Sequence, residues 1–476
     1  MATGDAAATQ GKFTTGPTLR HVVTMTATGS VGLIAVFIVD ALNLFYISLL
    51  GVEQLAAAIG FASTLLFFTL SVAIGLTVAT SALVSRALGR GNREAAAKFG
   101  GASMIFMAIA ATVLAGAAWP FLGDLLTLVG AQGETHRLAT RFMQIVLPST
   151  PLIAIGMCAS GILRGVGDAR RAMFVTLSSG IAAAILDPIL IFGFGLGLDG
   201  AAISTVLCRF VLVGVGFHGA HVVHRLVRLP SPAALREAAR PFFGIGIAAV
   251  LTQVANPVGN TYVTVEMARF GDQAVAGWAI VGRIVPLAFA AIFALSGSIG
   301  PILGQNLGAR RYDRLKSAMR DSMIFILVYV FVMWALLAVF ASPIAGIFGA
   351  TGPARDLILF FCHLVAGSFV FNGMLFVASA AFNNLGYPTY STVFNWGRAT
   401  LGIIPFVWVG AHYYGAQGVL AGWGLGAVVF GSVAAVVSFR VVDRIAQRPT
   451  PPESRLPGPP SAANSPFSTG KAATLS

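Results

Sequence analysis

Twelve apolar runs, each long enough to cross a bilayer, dictate what this chain can fold into. A spanning helix needs about 20 mainly apolar residues. Such runs fall near 22–49, 55–83, 98–119, 142–163, 172–194, 200–222, 242–265, 273–303, 321–348, 357–381, 389–412 and 416–440. In hydrocarbon only helices and closed barrels satisfy every backbone group. A barrel would alternate apolar and polar residues over strands of about ten, whereas these runs are apolar all round. Only 10% of the residues are charged, against about 25% in soluble domains. The expected fold is an all-α integral membrane protein with twelve transmembrane helices.

Basic residues orient the array. Of the 30 Lys and Arg, 23 fall on one side of a twelve-span topology, within "SRALGRGNREAAAK", "RGVGDARR", "HRLVRLPSPAALREAARP", "GARRYDRLKSAMR" and the two tails. The opposite loops hold Arg137, Arg141, Arg269 and Arg355, and Arg209, Arg283 and Arg398 lie inside spans. By the positive-inside rule the crowded side is cytoplasmic. The expectation is a multi-pass protein of the cell inner membrane with both termini cytoplasmic. The net charge of +13 is thereby explained by membrane topology in contact with the lipid bilayer, with no nucleic-acid partner expected. The first 20 residues hold no apolar core ahead of a cleavage site, so the first span is expected to act as its own insertion signal. The Pro/Ser/Ala-rich C-terminal tail is expected to be disordered. Cys158, Cys208 and Cys362 lie apart in apolar runs with no CxxC pair, which reads as packing, not disulfide or metal chemistry.

The second half repeats the first at an offset of about 219 residues: "GILRGVGDARRAM" pairs with "AAFNNLGYPTYST", and "SRALGRGNREAA" with "GQNLGARRYDRL". "LGVEQLAAAIGFAS" pairs likewise with "FGDQAVAGWAIVGR", and "LGLDGAAISTVL" with "YYGAQGVLAGWGL". An even number of spans separates the copies, so the repeat is parallel, about an axis along the membrane normal. The layout expected is a tail over 1–21, a six-helix lobe over 22–223, a linker over 224–241, a second six-helix lobe over 242–440 and a tail over 441–476.

In order and at repeat spacing, "GVEQLAAAIGF", "RALGRGN", "GQNLGAR", "GILRGVGDAR" and "ILDPILIFGFGLGLDGAAIST" resemble the multidrug and toxic compound extrusion (MATE) family. The resemblance covers roughly residues 20 to 440. It implies two six-helix lobes in a V. It also implies export of amphipathic, often cationic, organic molecules driven by inward H⁺ or Na⁺. The chain departs from the best-marked branch of the family: the seventh span has no carboxylate in its apolar part, and Asn372 stands in the tenth where some relatives place an acid. Ala183, four before Asp187, replaces a common asparagine, and Val36, four before Asp40, replaces a tyrosine of some relatives. The choice between H⁺ and Na⁺ stays open at this point.

Two carboxylates lie deep within spans, Asp40 in "IAVFIVDALNLFY" and Asp187 in "AAAILDPILIFG". Asp40 falls about ten residues before the outer end of its span and Asp187 about seven before its own, so at 1.5 Å per residue their depths agree within about 5 Å. Burial and a nearby like charge both raise a carboxyl pKa, so a proton or Na⁺ neutralising the pair would favour a different helix packing. Pro188 frees the carbonyl of Ala184 to accept a cation or water. The resemblance adds Thr205 to this coupling site. The competing reading is that Asp-Pro only caps a broken helix or bonds a neighbouring serine; intramembrane carboxylates are functional by default.

For cargo, Gln253, Asn256 and Asn260 share one face of the seventh span. With Asn372, Asn395 and an adaptable Met157 they are candidate cavity-lining residues; the alternative is an interhelical hydrogen-bond set. Arg209, Arg283 and Arg398 can bind an anionic ligand, or pair or snorkel to an interface. His363 beside Cys362 lacks partners at metal-ligand spacing. No catalytic set, no "GxxxxGK[ST]" and no HExxH is present. An ion-driven transporter without cofactor, acting as a monomer on small organic molecules, is therefore expected rather than an enzyme. A flippase for lipids or lipid-linked sugars is the alternative. A channel would need charged rings or filter segments, and none stands out.

Overall fold

The structure, a computed structural model, describes residues 11–48 and 53–447; the side chain of Asp40 lies outside that description, as does the C-terminal tail from 448. Among the described residues, helices alone build it. Spans 1 to 3 are Thr18–Ser48, Glu53–Gly89 and Arg93–Ala118. Span 4 runs as Gly133–Val146 and Thr150–Val166, joined by a 3₁₀ turn that carries Pro148. Spans 5, 6 and 7 are Ala169–Pro188 with a following π turn, Gly197–Phe217 and Pro232–Ala268. Span 8, a single apolar run in the sequence, is broken at Phe289 into Asp272–Ala288 and Ala290–Gly308. Span 9 is Tyr312–Val339, and span 10 runs as Gly352–His363 and Phe369–Leu385.

Spans 11 and 12 form one 59-residue helical stretch, Pro388–Ala446, that folds back on itself at Gly415. There φ is 59° and ψ −143°, a region open essentially to glycine alone. The two arms approach along Gly402, Phe406 and Gly410 on one side and Gly418, Gly422 and Gly426 on the other. A Cβ on Gly426 would stand 1.9 Å from the Gly402 carbonyl oxygen. Small residues every four positions let the backbones close in, the usual device where lipid removes any hydrophobic drive between helices. Counting this hairpin as two gives twelve spans, an even number, so the first and last described residues share one end of the bundle.

The repeat is written into the backbone. Left-handed residues recur 219 positions apart: Gly91 and Arg310, Gly130 and Gly349, Gly133 and Gly352, Gly167 and Gly386. The short helices Leu122–Leu128 and Ala341–Ile347 keep the same offset. Packing repeats as well. Span 1 lies on 5, 2 on 4, 4 on 6 and 5 on 6; in the second lobe 7 lies on 11, 8 on 10, 10 on 12 and 11 on 12. The lobes meet where span 2 crosses spans 7 and 8 and span 1 crosses span 8.

Two expected boundaries move. The 224–241 linker shrinks, because Ser231 caps a helix beginning at Pro232 and the chain is helical through Pro241. The last span continues to Ala446, into the stretch assigned to the tail over 441–476. In the N-terminal segment over 1–21, Lys12–Thr14 forms a 3₁₀ turn with Phe13 fully buried.

The inter-lobe contacts crowd the end that carries the termini. Ser85 meets Gly304, Gly89 meets the Gln305 backbone and Gly308 meets that of Arg86. Arg86 donates from Nε and Nη2 to the carbonyls of Asn384 and Asn383, both at 2.9 Å. Gln305, 0% exposed, donates from Nε2 to the Gly165 carbonyl at 2.7 Å and accepts from the Phe13 N–H at 2.9 Å. Lys12 Nζ reaches the Gly167 carbonyl, while Arg314 holds those of Phe13 and Gly16. The segment around Phe13 thus ties both lobes together.

Toward the opposite end the lobes part. Gly246, Gln253 and Asn260 lie seven apart on one stripe of span 7, opposite the exposed apolar face of Ile247, Leu251, Val258 and Val265. Gly246 is buried against Leu76 of span 2, Gln253 is half-buried and Asn260 is exposed. One stripe passes from sealed to open along the helix. The lobes therefore enclose a cleft that opens at the end away from the termini.

Candidate functional site

In the N-terminal lobe, span 5 is started by Asp168, whose side chain caps the Arg171 N–H at 3.1 Å. It stays helical through Asp187 and Pro188, then widens into a π turn over Ile189–Gly193. A proline cannot donate to the preceding turn, and π-bulges of this kind concentrate at functional sites. Gly200 of span 6 fits against the Leu190 carbonyl of this bulge, where a Cβ would sit 2.7 Å from it. The close approach brings span 6 over Asp187.

Asp187 is 1% exposed, and its Oδ2 is buried with no hydrogen-bond partner. Ser204 of span 6 is the hydroxyl beside it, close enough to interact but with its own Oγ outside hydrogen-bonding geometry. Cys208 lies one turn further along span 6, and Ser179 donates to the Cys208 carbonyl at 3.1 Å. An isolated charge at this depth costs roughly 2.5–3.5 kcal/mol on insertion scales.

The backbone of Asp40 lies on span 1, which packs along span 5. Val39 meets Gly180 at one level and Tyr46 stacks edge-on to Phe192 at 6.4 Å further along. Both acids fall between these two contacts. Thr205 Oγ1 is turned to its own helix, donating to the Ala201 carbonyl at 2.9 Å; the hydroxyl set next to Asp187 is that of Ser204.

The C-terminal lobe holds a polar set of the other sign. Arg398, 5% exposed, ends the first helix of span 11 and donates from Nη1 to Asn256 Oδ1 at 2.8 Å. Its Nε is buried without a partner, and no described carboxylate lies within ion-pair distance. Asn395, one turn earlier, donates to Ser379 Oγ of span 10 at 2.8 Å, and Thr252 shares a hydrogen bond with Ser391 at 3.2 Å. Asn372 lies on the same face of span 10 as Ser379, 3% exposed, with Nδ2 buried and unpartnered. The last-turn position lets Arg398 face a helix C-terminus, worth about 0.3–1 kcal/mol and at most about 2. That falls short of the roughly 2.5–3.5 kcal/mol cost of an arginine in hydrocarbon.

Of the other candidates, Gln253 and Asn260 line the cleft stripe, whereas Met157 packs against the core of spans 2, 3 and 4. Arg209 is tied by Nη1 to the Val146 carbonyl at 3.0 Å and Ser149 Oγ at 2.8 Å, and Arg283 is exposed. His363 bonds the Leu359 carbonyl at 2.7 Å. No group of His, Cys, Asp or Glu among the described residues could hold a metal ion. Two features escape a reading of the sequence. Ser204 does so because one serine in "GAAIST" looks like any other. Gln305 stands within a motif that reads as a loop, and only the crossing of spans 2 and 8 shows it buried between lobes.

A twelve-helix membrane bundle of two parallel repeated lobes, with a buried carboxylate in one and a buried arginine in the other, has an architecture known among membrane transporters. The MatE family model matches residues 30–189 and 248–409, one stretch in each lobe, and the chain belongs to this family of membrane transporters. A point mutant of the Vibrio cholerae MATE transporter VcmN is 25% identical with a TM-score of 0.85, covering 90% of this chain and 97% of that one. A FAD transporter of Shewanella oneidensis is 29% identical over 411 residues, covering 85% of this chain and 90% of its own length. The multidrug export protein MepA of Staphylococcus aureus is 24% identical over 456 residues, covering 93% and 98%.

Proposed function

We propose that the chain is a secondary antiporter that exports amphipathic organic compounds, cationic ones included, in exchange for H⁺ or Na⁺ taken up at the N-lobe carboxylates. The observation that carries this reading is the orphaned Oδ2 of Asp187, buried in span 5 beside Ser204. The repeat-equivalent position in the second lobe is Phe406, with no acid, and packing alone gives no reason for that asymmetry. Asp40 joins the same interval of the span 1–span 5 interface.

The basic end of the bundle is the cytoplasmic side of the cell inner membrane, so both termini face the cytoplasm and the cleft opens outward. An ion entering from outside neutralises Asp187, relieves the cost of the buried charge and favours a different packing of spans 1, 5 and 6. The lobes then rock about the span 2–span 8 crossing and expose the cleft inward. One chain contains both lobes and suffices as a monomer.

The relative named as a FAD transporter brings a second reading of the cargo, an anionic flavin nucleotide, which the buried Arg398 favours. Everted vesicles that carry the protein and are given a proton gradient or a Na⁺ gradient alone provide the test. A fluorescent cation or a flavin nucleotide should accumulate under one gradient and fail to do so in Asp187→Asn. Full-rate accumulation in Asp187→Asn and Asp40→Asn would refute coupling at these acids.

A further inference from the structure

Arg398 differs from the other buried arginine, Arg209, in what surrounds it. Arg209 is held by a carbonyl and a hydroxyl. Arg398 has five N–H donors, of which Nη1 alone meets a described partner, the Asn256 side-chain oxygen Oδ1 at 2.8 Å. The buried carboxylates of the same lobe are spoken for: Glu266 pairs with Arg269 at 3.1 Å and Asp321 accepts from Thr18.

The surrounding set has a consistent chemistry. Three of its acceptors are occupied: Asn256 Oδ1 by Arg398, Ser379 Oγ and the Ser391 carbonyl by Asn395. Its buried atoms left without partners, Arg398 Nε and Asn372 Nδ2, are both donors. What completes such a set must bring acceptors and negative charge. Asn256 is half-buried, one turn from the stripe at Gln253, and bonds Arg398 from that side.

We propose that Arg398, with Asn256 beside it and the Asn372 amide on the neighbouring helix, is the docking point for a phosphate or carboxylate group on an amphipathic cargo. This rests on the transport reading above and adds the charge of the cargo. The planar guanidinium fork matches the two oxygens of such a group. Cargo then neutralises the C-lobe as the ion neutralises the N-lobe, so each lobe is freed of buried charge by a different ligand.

Equilibrium binding to the intact protein in nanodiscs, with no ion gradient, tests this with two dyes on one ring system, anionic carboxyfluorescein and cationic rhodamine 123. Carboxyfluorescein should bind, and Arg398→Gln should weaken it at least tenfold while leaving rhodamine 123 unchanged. Asn256→Asp, which hands Arg398 a permanent carboxylate, should weaken carboxyfluorescein similarly without lowering thermal stability, and it decides the matter if Arg398→Gln does not fold. The proposal is overturned if carboxyfluorescein does not bind, if it binds the variants as it binds the parent, or if both dyes are lost together. Because no gradient is applied, failure of ion coupling at Asp187 leaves this result intact, and is seen only in the vesicle assay.

Discussion

Gln305→Leu should unlock the closed end of the bundle. The glutamine is fully buried, and its amide satisfies two groups that have no other described partner, the Gly165 carbonyl and the Phe13 N–H. Gly165 lies in the last turn of span 4, where helix carbonyls lack intrahelical donors. Leucine keeps similar bulk but orphans both groups, at about 1–3 kcal/mol each. When the lobes separate at this end both groups reach water, so the penalty of about 2–6 kcal/mol falls on the closed state alone. A ligand-free equilibrium responds to such a differential by about tenfold per 1.4 kcal/mol, so the open population should rise about 30-fold or more. Ser85, buried against Gly304 in the same seam, reports it. In a background with Cys158, Cys208 and Cys362 replaced by alanine, Ser85→Cys should react with a maleimide about 30-fold faster when Gln305→Leu is added. An unchanged labelling rate would show that the two hydrogen bonds do not hold the gate.

Other outcomes follow from single sites. Gly426→Leu drives a side chain into the Gly402 carbonyl, 1.9 Å from where its Cβ must lie, and should cost at least about 3 kcal/mol, measured as lost thermal stability in detergent. Gly282→Ala, with nothing within 4 Å, should be neutral or stabilising by up to about 1 kcal/mol. Asp187→Asn should raise thermal stability by about 1–3 kcal/mol, since it removes an unpaired buried carboxylate, while abolishing ion-driven transport; a drop in stability would make the acid structural. Burial raises the Asp168 pKa, but hydrogen bonds from Arg171 and His224 outweigh it and hold the carboxyl below its usual range. Its stabilisation is complete above the unfolded value near pH 4 and is lost as pH falls through the lower folded value. Melting temperature followed against pH should show this loss in the parent and its disappearance in Asp168→Asn.

The sequence by itself determined the span count, the parallel repeat and the family, because length, apolarity and a 219-residue echo are properties of the chain read along one dimension. It also singled out Asp187, since a carboxylate in an apolar run is conspicuous whatever surrounds it. Tertiary structure decided who the partners are. Ser204 rather than Thr205 faces the acid because helix rotation, about 100° between successive residues, is fixed by the packing of Gly200 against the bulge after Pro188. Arg398 looks equivalent to Arg209 until the fold gives one a single amide oxygen and the other a carbonyl and a hydroxyl. Gln305 becomes a gate residue only where two spans far apart in sequence cross. Hydrophobic length is a local quantity, whereas the satisfaction of a buried polar group depends on which helix faces it, and that is settled only in three dimensions.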